Sequence, residues 1–432
     1  MRVHLKTLGC RLNEAELETW ARQFQAAGCD PAAAPDEADV IVLNSCAVTG
    51  DAARKSRNLI RRVQRENPRA KLVASGCWAT LHPDEAAEIL GVDLVVANAD
   101  KSRLVELTRE KLQVETMPAF STEPGEAALF RLGRQRAFVK VQDGCRHRCT
   151  FCIVTVARGE ERSRPVGEVV AEINALHAGG VQEAVLTGVH LGGYGSDLGS
   201  RLDELLSAVL AGTAIPRLRL GSLEPWDLPE DFFRLWENPR LMPHLHLPVQ
   251  SGADTVLKRM ARRCRTADFA ALVEEARRRI PDLNVTTDIL AGFPGETDAE
   301  WAQTLGFVEC MAFGRVHIFA YSRRTGTGAA TMPGQIADGV KKTRVGELHT
   351  LAARLGREAL ARQVGAIVPV LWEEQCEPGG EGRVLRYGYT PNYLRVAVDA
   401  AAEQPLARCI RPARLIGVAP DGDSLRAELA DA

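Results

Sequence analysis

Strand-like and helix-like patterns of apolar residues alternate through the first part of the chain. Short β-branched runs predict strands, and segments with helical spacing follow them; the runs lie at residues 3–8, 40–44, 71–74 and 94–97. Alternation of this kind predicts a parallel sheet with covering helices. A polar stretch at residues 121–128, which carries Pro124 and Gly125, is predicted to link this region to the next.

The alternation resumes in the middle of the chain and gives way to a different pattern near its end. Six strand-like segments, separated by helical ones, lie at residues 137–141, 183–187, 218–222, 244–248, 284–290 and 315–321. Six such units predict an incomplete parallel barrel. Near the end, β-branched stretches at 364–372 and 393–398 are bounded by Gly and Pro, which is typical of a small β-barrel. We therefore predict an α/β protein with domains at 1–125, 135–355 and 363–432.

Composition limits the partners and the compartment. The formal net charge of −2 leaves no overall field to attract nucleic acid, so any RNA contact must come from local patches. The chain opens on a strand pattern rather than a secretory segment, and no apolar run approaches transmembrane length, which predicts a cytoplasmic protein without membrane contact. Eleven cysteines in a reducing compartment indicate metal binding or catalysis rather than disulfides.

Three cysteines, Cys145, Cys149 and Cys152, form a C-x3-C-x2-C loop directly after the predicted strand at 137–141. Thiolates are soft ligands that select soft metals and iron–sulfur clusters. A cubane cluster normally takes four thiolates, so three local ligands leave one iron open. The alternative is a structural zinc site, but such sites are usually closed by four ligands, and only His147, inside the loop, is close.

Cys10, Cys46 and Cys77 share one position in the first domain, because each follows a predicted strand. The carboxyl ends of parallel strands lie side by side, and ligands bind in the crevice there. The pattern therefore predicts that three cysteines distant in sequence meet at a second three-thiolate site. The alternative is three unrelated buried cysteines.

The C-x3-C-x2-C loop, with Phe151 before its third cysteine and Ile153 after it, resembles that of the radical S-adenosylmethionine (SAM) enzymes. With the N-terminal cysteine trio, nearly the whole chain resembles the methylthiotransferase family; the local motifs are Thr-Leu-Gly-Cys-Arg-Leu-Asn at 7–13, Asn-Ser-Cys-Ala-Val-Thr at 44–49 and Ser-Gly-Cys at 75–77. Within that family it is most similar to the branch that modifies N6-threonylcarbamoyladenosine at tRNA position 37. The alternative substrates are isopentenyladenosine-37 of tRNA and an aspartate of a ribosomal protein.

The resemblance implies two [4Fe–4S] clusters, one on each cysteine trio, and SAM as a further cofactor. In the family, the cluster of the barrel loop reduces SAM to a radical that removes hydrogen from the base. The N-terminal cluster presents a sulfur that a second SAM methylates, and the methylthio group joins the substrate carbon. The six cysteines hold clusters, and none is expected to act as an ordinary nucleophile. An electron donor such as flavodoxin or ferredoxin and a source of sulfur are implied as partners.

Polar residues mark the carboxyl ends of the predicted barrel strands, where barrel enzymes place their sites. By resemblance, Thr187 and Gly188 lie near the amino acid part of SAM, and Phe151 and Ile153 of the cysteine loop are also expected to bind the cofactor. Further polar contacts to SAM or substrate are expected from a set that follows the later strands: Glu224, Gln250 and Asp288. Taken singly, each of these three is equally consistent with a hydrogen-bonded turn or cap.

The last domain resembles the RNA-binding TRAM domain. Tyr389, Asn392, Tyr393 and Arg395 combine aromatic rings with a guanidinium, which suits base stacking beside a phosphate, and they are predicted to contact the anticodon loop of tRNA. Residues 363–432 nevertheless carry seven Arg, no Lys and ten acidic residues. RNA-binding domains are usually basic, so either the arginines are grouped on one face or the domain only helps to dock the tRNA.

Overall fold

The computed structural model of the protein describes residues 1–89, 91–112, 135–229, 231–379 and 382–430. The predicted linker at 121–128 lies outside the described residues. Within them, no helix is both long enough and apolar enough to cross a membrane.

A five-stranded, wholly parallel sheet forms the first domain. Its strands are β1 (Arg2–Thr7), β2 (Asp30–Pro31), β3 (Val40–Ser45), β4 (Lys71–Gly76) and β5 (Val92–Val96), in the order β2-β1-β3-β4-β5. Its helices are α1 (Arg11–Ala26), α2 (Gly50–Glu66), α3 (Cys77–Leu81), α4 (Pro83–Glu88) and α5 (Leu104–Leu112). β3 is buried along its whole length because helices cover both faces of the sheet, which explains its continuous apolar run.

An open, partial barrel forms the centre of the chain. Its strands are β6 (Arg136–Lys140), β9 (Glu183–Thr187), β10 (Arg217–Leu220), β11 (His244–His246), β12 (Asn284–Ala291) and β13 (Arg315–Ala320); the short pair β7 (Gln142–Asp143) and β8 (Arg162–Ser163) lies beside them. Parallel ladders join β6, β9 and β10, and others join β11, β12 and β13. Single parallel bridges, including that between Ser222 and His246, connect the two halves.

Seven helices of the described chain accompany the barrel: α6 (Val154–Arg158), α7 (Val166–Ala178), α8 (Leu202–Gly212), α9 (Asp254–Arg259), α10 (Thr266–Arg279), α11 (Asp298–Met311) and α12 (Asp338–Ala361). One large apolar core fills the space between these helices and the strands. Helix α12 continues past residue 355, where the central domain was predicted to end. The domain limits themselves remain predictions.

A closed barrel ends the chain, with strands β14 (Ile367–Pro378), β15 (Arg383–Tyr389), β16 (Arg395–Ala401), β17 (Ile410–Val418) and β18 (Leu425–Leu429) in the order β14-β15-β16-β18-β17. Closure removes the exposed edges that a small sheet would otherwise present. The predicted fold class is therefore confirmed: a parallel α/β domain, a partial barrel and a small β-barrel follow one another along the chain.

Side-chain contacts join the three units. Helix α1 lies against β6, where Ala15 packs with Phe138 and Val185. At the other side of the partial barrel, the Arg217 guanidinium donates to the carbonyls of Pro369 (2.6 Å) and Tyr389 (3.1 Å) in the small barrel. These contacts enclose a space between all three units, and the candidate site lies there.

Candidate active site

A cavity of about 980 Å³ lies where the three units meet. The N-terminal cysteine trio lines one side of it, and the inward-facing residues of the partial barrel line another. Residues of the small β-barrel, among them Tyr389, Tyr393 and Arg395, complete its wall. A cavity of this size is large enough for a cofactor and part of a substrate together.

The three cysteines of the first domain lie at the carboxyl ends of three neighbouring strands. Cys10 precedes α1, Cys46 follows β3 and Cys77 begins α3, and all three line the cavity. Burial raises the pKa of the Cys46 thiol to about 11, and the charges of the other two sulfurs push it the same way. The sulfurs are therefore within electrostatic reach of one another, as the sheet topology predicts.

Glycines allow these loops to come together. Gly76 has a φ of +98°, and a Cβ at this position would lie 2.2 Å from the Ser45 carbonyl oxygen. Gly9 has a φ of +125°, and its Cβ would lie 2.8 Å from that of Cys46. Both positions thus need the left-handed backbone region and the missing side chain of glycine.

Polar side chains of the first domain contact two sulfurs of the N-terminal trio. The Cys10 thiol is 3.8 Å from the Asn13 Oδ1, and the Asn98 Nδ2 is 3.8 Å from the Cys77 sulfur. The Asn13 Nδ2 also donates to the carbonyls of Leu8 (2.8 Å) and Ser45 (3.3 Å), so one amide joins the loops that carry Cys10 and Cys46. Such contacts orient ligands around a metal centre.

The barrel trio occupies the loop between β7 and α6. Gly144 has a φ of +74°, and a Cβ there would lie 1.8 Å from the Glu160 carbonyl oxygen, so the loop turns tightly at its first residue. Burial raises the pKa of Cys145 to about 12, and the Cys149 and Cys152 sulfurs add to the effect. Burial likewise raises the pKa of Cys152 to about 11.

Both trios fit a cluster better than a single ion. Within the described residues, the three-ligand groups with all donor atoms inside 4.8 Å do not include either trio. A cubane of four irons is larger than one ion and holds its thiolates farther apart. The fourth zinc ligand considered above is also engaged elsewhere, because the His147 Nε2 lies 3.0 Å from both His190 and Asp227. Burial raises the pKa of Cys10, Cys46, Cys145 and Cys152, so cationic iron would be needed to hold these four as thiolates.

The hydrogen-bonded group around His190 was not predicted from the sequence. The His190 Nε2 is 2.7 Å from the Asp227 carboxylate, and its Nδ1 contacts Glu161. Although burial opposes ionisation, hydrogen bonds from His147 and His190 hold the pKa of Asp227 well below its usual range. The group connects the cysteine loop to the loops after β9 and β10, so it fixes the mouth of the barrel.

The predicted cofactor-binding residues do not all lie in the cavity wall. Thr187, Gly188 and Asp288 line the cavity. Glu224 lies beside the barrel trio, where burial raises its pKa and its Oε2 has no hydrogen-bond partner in the described chain. Gln250 has a φ of +78° and donates its backbone N–H to the Asp288 carbonyl (2.9 Å), so it shapes the strand end that carries Asp288.

The two apolar residues of the cysteine loop are packed rather than placed in the cavity wall. Phe151 packs against a cluster that includes Phe293 and Tyr321, while Ile153 is buried at the start of α6. Both side chains therefore pack the cysteine loop against the protein interior.

The four predicted RNA contacts separate into a cavity group and a buried residue. Tyr389 and Tyr393 stack with their ring centres 5.0 Å apart, and both line the cavity with Arg395. Asn392 is buried, and its Nδ2 donates to the Asp282 carbonyl (3.2 Å). Its side chain thus anchors the turn before Tyr393, which adopts a φ of +69°.

The predicted Asp288 belongs to a polar ladder on the inner face of the barrel whose other members were missed. His246, Asp288, Arg315 and His317 come from adjacent strands and all line the cavity. The His246 Nε2 lies 3.2 Å from the Asp288 carboxylate, and Asp288 pairs in register with His317. The available signal was polar residues at alternate positions of otherwise apolar strands, because alternate residues share one face.

Two family models match the chain. One, described as the uncharacterized protein family UPF0004, covers residues 2–97, and the other, described as the radical SAM superfamily, covers residues 139–308. The chain is similar to the threonylcarbamoyladenosine tRNA methylthiotransferase MtaB of Bacillus subtilis (strain 168), with 36% identity over 91% of this chain and 89% of that protein. It is 39% identical to the protein of the same name from Thermotoga maritima, over 91% of this chain and 90% of that protein.

The chain is also similar to a second kind of tRNA-modifying enzyme and to a solved structure. A tRNA-2-methylthio-N(6)-dimethylallyladenosine synthase from Thermobifida fusca is 35% identical over 88% of this chain and 78% of that protein. Among solved structures, the radical S-adenosylmethionine methyltransferase TsrM from Kitasatospora setae aligns with a TM-score of 0.57 and 15% identity, over 76% of this chain and 77% of that one. At that identity, the structural likeness concerns the fold alone.

Proposed function

The chain belongs to the radical SAM methylthiotransferase family, and from this we propose that it adds a methylthio group to C2 of N6-threonylcarbamoyladenosine at position 37 of tRNA. The observation that carries the proposal is the shared cavity. The N-terminal cysteine trio lines one side of it, and Thr187, Gly188 and Asp288 at the barrel strand ends line another. The residues predicted to hold the sulfur-providing cluster and those predicted to contact SAM at the strand ends therefore line one space.

The chain's own residues bind and orient the reactants. Cys145, Cys149 and Cys152 would hold the SAM-binding cluster, and the N-terminal trio would hold the cluster that provides sulfur. When bound, these groups supply radical chemistry and sulfur for an unactivated purine C–H bond, which side-chain acids and bases do not attack. Thr187 and Gly188, which line the cavity, would contact SAM there.

The substrate enters as an anticodon loop, whose unstacked bases are accessible. Tyr389, Tyr393 and Arg395 face the cavity and bind the loop there, while Asn392 positions their turn. The reaction also needs an electron donor, such as flavodoxin or ferredoxin, and a source of sulfur. We assign it to the cytoplasm because its substrate is tRNA.

The nearest alternative is isopentenyladenosine-37, because relatives named for dimethylallyladenosine are also similar to this chain. The cavity favours the threonylcarbamoyl substrate, which carries a carboxylate, since Arg11 and Arg315 line it. An apolar isopentenyl group gives these guanidinium groups no partner.

The proposal is tested by nucleoside analysis of tRNA. The chain is expressed in a bacterial strain that lacks its own threonylcarbamoyladenosine methylthiotransferase. We expect 2-methylthio-N6-threonylcarbamoyladenosine to appear with the wild-type chain and not with Cys46→Ala or Cys149→Ala. Appearance of only the methylthio-isopentenyl nucleoside, in a strain that also lacks that enzyme, would contradict the substrate assignment. In parallel, the anaerobically reconstituted protein should contain about eight irons per chain, from two four-iron clusters.

A further inference from the structure

Arg11 and Arg315 of the cavity wall form no salt bridge with an acidic side chain of the described residues, and neither does Arg395 on the RNA-binding side. Arg11 directly follows Cys10, and Arg315 lies at the start of β13. Arg158, which also lines the cavity, differs because its guanidinium is bonded to Glu16 and Asp143. Arg11 and Arg315 therefore leave positive charge in the cavity that a ligand can neutralise.

The charges of both guanidinium groups act on one imidazole, that of His317. Arg315 and His317 are two residues apart on β13 and both face the cavity. Arg11 reaches the same region from the first domain, with its Nη2 3.1 Å from the Tyr393 hydroxyl and its guanidinium 5.4 Å from the Tyr393 ring centre. Burial lowers the pKa of His317, and the charges of His246, Arg315 and Arg11 push it in the same direction, while the Asp288 carboxylate opposes them.

These residues suit a carboxylate next to a hydrogen-bonding group. Guanidinium groups bind carboxylates through paired, charge-assisted hydrogen bonds. A His317 kept neutral at physiological pH can donate or accept a hydrogen bond beside them. An isopentenyl group uses neither feature, whereas a threonylcarbamoyl group carries a carboxylate and a hydroxyl.

The position of Arg11 relative to the N-terminal trio also fits recognition of a group attached to N6. C2 and N6 of adenine lie on the same edge of the base, separated by C6 and N1. When C2 faces the N-terminal trio, a group attached to N6 ends near that trio if it is turned to the N1 side of the base. Arg11 is the residue after Cys10 and lines the same cavity, so it lies where such a group would end.

We propose that Arg11 and Arg315 bind the threonyl carboxylate of the substrate nucleoside, with His317 hydrogen-bonding its hydroxyl, and that they select this nucleoside over isopentenyladenosine. The inference rests on the proposed function and identifies its specificity-determining residues. It concerns recognition of the base modification rather than the chemistry of methylthiolation.

The test compares two synthetic anticodon stem-loops that differ at a single group. One carries N6-threonylcarbamoyladenosine at position 37, and the other carries the same nucleoside with its carboxylate converted to the primary amide. Binding of each to the reconstituted holoenzyme is measured by fluorescence anisotropy. We expect the wild-type chain to prefer the carboxylate by about tenfold or more, as a charged hydrogen-bonded pair provides. Arg315→Met should bring the ratio close to one, and Arg315→Lys should keep part of it.

Arg395→Met is the matched control, because Arg395 lines the same cavity on the RNA-binding side. It should weaken both stem-loops equally and leave the ratio unchanged. Arg11→Met is measured together with iron content, since Arg11 adjoins a cluster ligand. Iron content and circular dichroism establish that each variant is folded and loaded.

The outcomes separate this inference from the proposed function. If the wild-type chain binds the threonylcarbamoyl loop no better than an unmodified loop and does not methylthiolate it, the proposed function fails. If the wild-type chain does both and prefers the carboxylate, but Arg315→Met keeps the wild-type ratio, the function stands and the assignment of these arginines is overturned.

Discussion

Replacing Arg158 with Met should weaken the attachment of the first domain to the barrel and empty the N-terminal cluster site. Arg158 ends α6, and its Nη1 lies 2.9 Å from both Glu16 and Asp143. Its Nη2 donates to the Asn13 Oδ1 at 2.9 Å. Since Asn13 also contacts the Cys10 thiol and joins the Cys10 and Cys46 loops, Arg158 positions the ligands of that trio.

The expected loss of stability follows from burial. The side chains of Arg158 and Glu16 are each only 2% exposed, and breaking a buried pair by removing one partner costs about 3–5 kcal/mol. Two lysines, Lys101 and Lys140, still contact Glu16 after the substitution and compensate part of its charge. We therefore expect the lower end of that range, about 3 kcal/mol.

The assay combines urea unfolding of the apoprotein, followed by circular dichroism, with iron analysis of the reconstituted protein. Arg158→Met should lower the free energy of unfolding by about 3 kcal/mol and reduce the iron content from about eight to about four. Arg22→Met provides the matched control, because Arg22 forms an ion pair with Glu172 between the same two units but is one-third exposed. It should cost less than about 1 kcal/mol and keep all the iron.

The reasoning is refuted if Arg158→Met retains about eight irons and unfolds at the same urea concentration as Arg22→Met. Such a result would mean that the N-terminal trio is held by its own sheet alone. Arg158→Lys should lie between the two variants, because an ammonium keeps the charge but does not reproduce the planar guanidinium contacts.

Two further substitutions test the core and the loop geometry. Burial would raise the pKa of Glu183, but its pairing with Arg219 lowers it to about 2. Glu183→Gln should therefore lower the free energy of unfolding by about 3 kcal/mol at pH 7. In urea unfolding, the difference in this free energy between variant and wild type should shrink as the pH falls from about 4.5 towards 2. A difference that stays constant over this range would contradict the prediction. Gly76→Ala should remove about four irons, because its Cβ would meet the Ser45 backbone. Gly28→Ala, at another positive φ but in open space, should retain them, and equal loss in both would refute the steric argument.

The elements with strong periodicity were predictable, while short or locally ambiguous ones were not. The run at 40–44 became the strand Val40–Ser45, because a fully apolar segment must be buried on both faces. The helical segment predicted after the fourth strand run instead begins as a 3-10 turn at Asn98–Arg103 and becomes an α-helix at Leu104–Leu112. Strands of two residues, such as Asp30–Pro31, have no period to detect.

The site was predictable where topology alone determines it. Each cysteine of the first trio follows a strand, and the sheet order places those strand ends side by side. The contacts of long side chains were not predictable, because they join residues far apart in sequence: Arg158 and Glu16 are 142 residues apart. The hydrogen bond of the Asn392 side chain was unpredictable for the same reason, since its partner, Asp282, lies 110 residues away.

Helix α6 connects the two cysteine trios directly. It begins two residues after Cys152, and its last residue, Arg158, holds the Asn13 amide beside Cys10. The carbonyl of its fourth residue, Ala157, accepts a hydrogen bond from the Asn98 amide, which also contacts the Cys77 sulfur. A helix of five residues is short and stiff, so the separation of the two sites is set by covalent geometry and a few buried hydrogen bonds. Transfer of sulfur to a carbon activated at the other site requires such a fixed separation, since misplacement by about 1 Å costs about a hundredfold in rate.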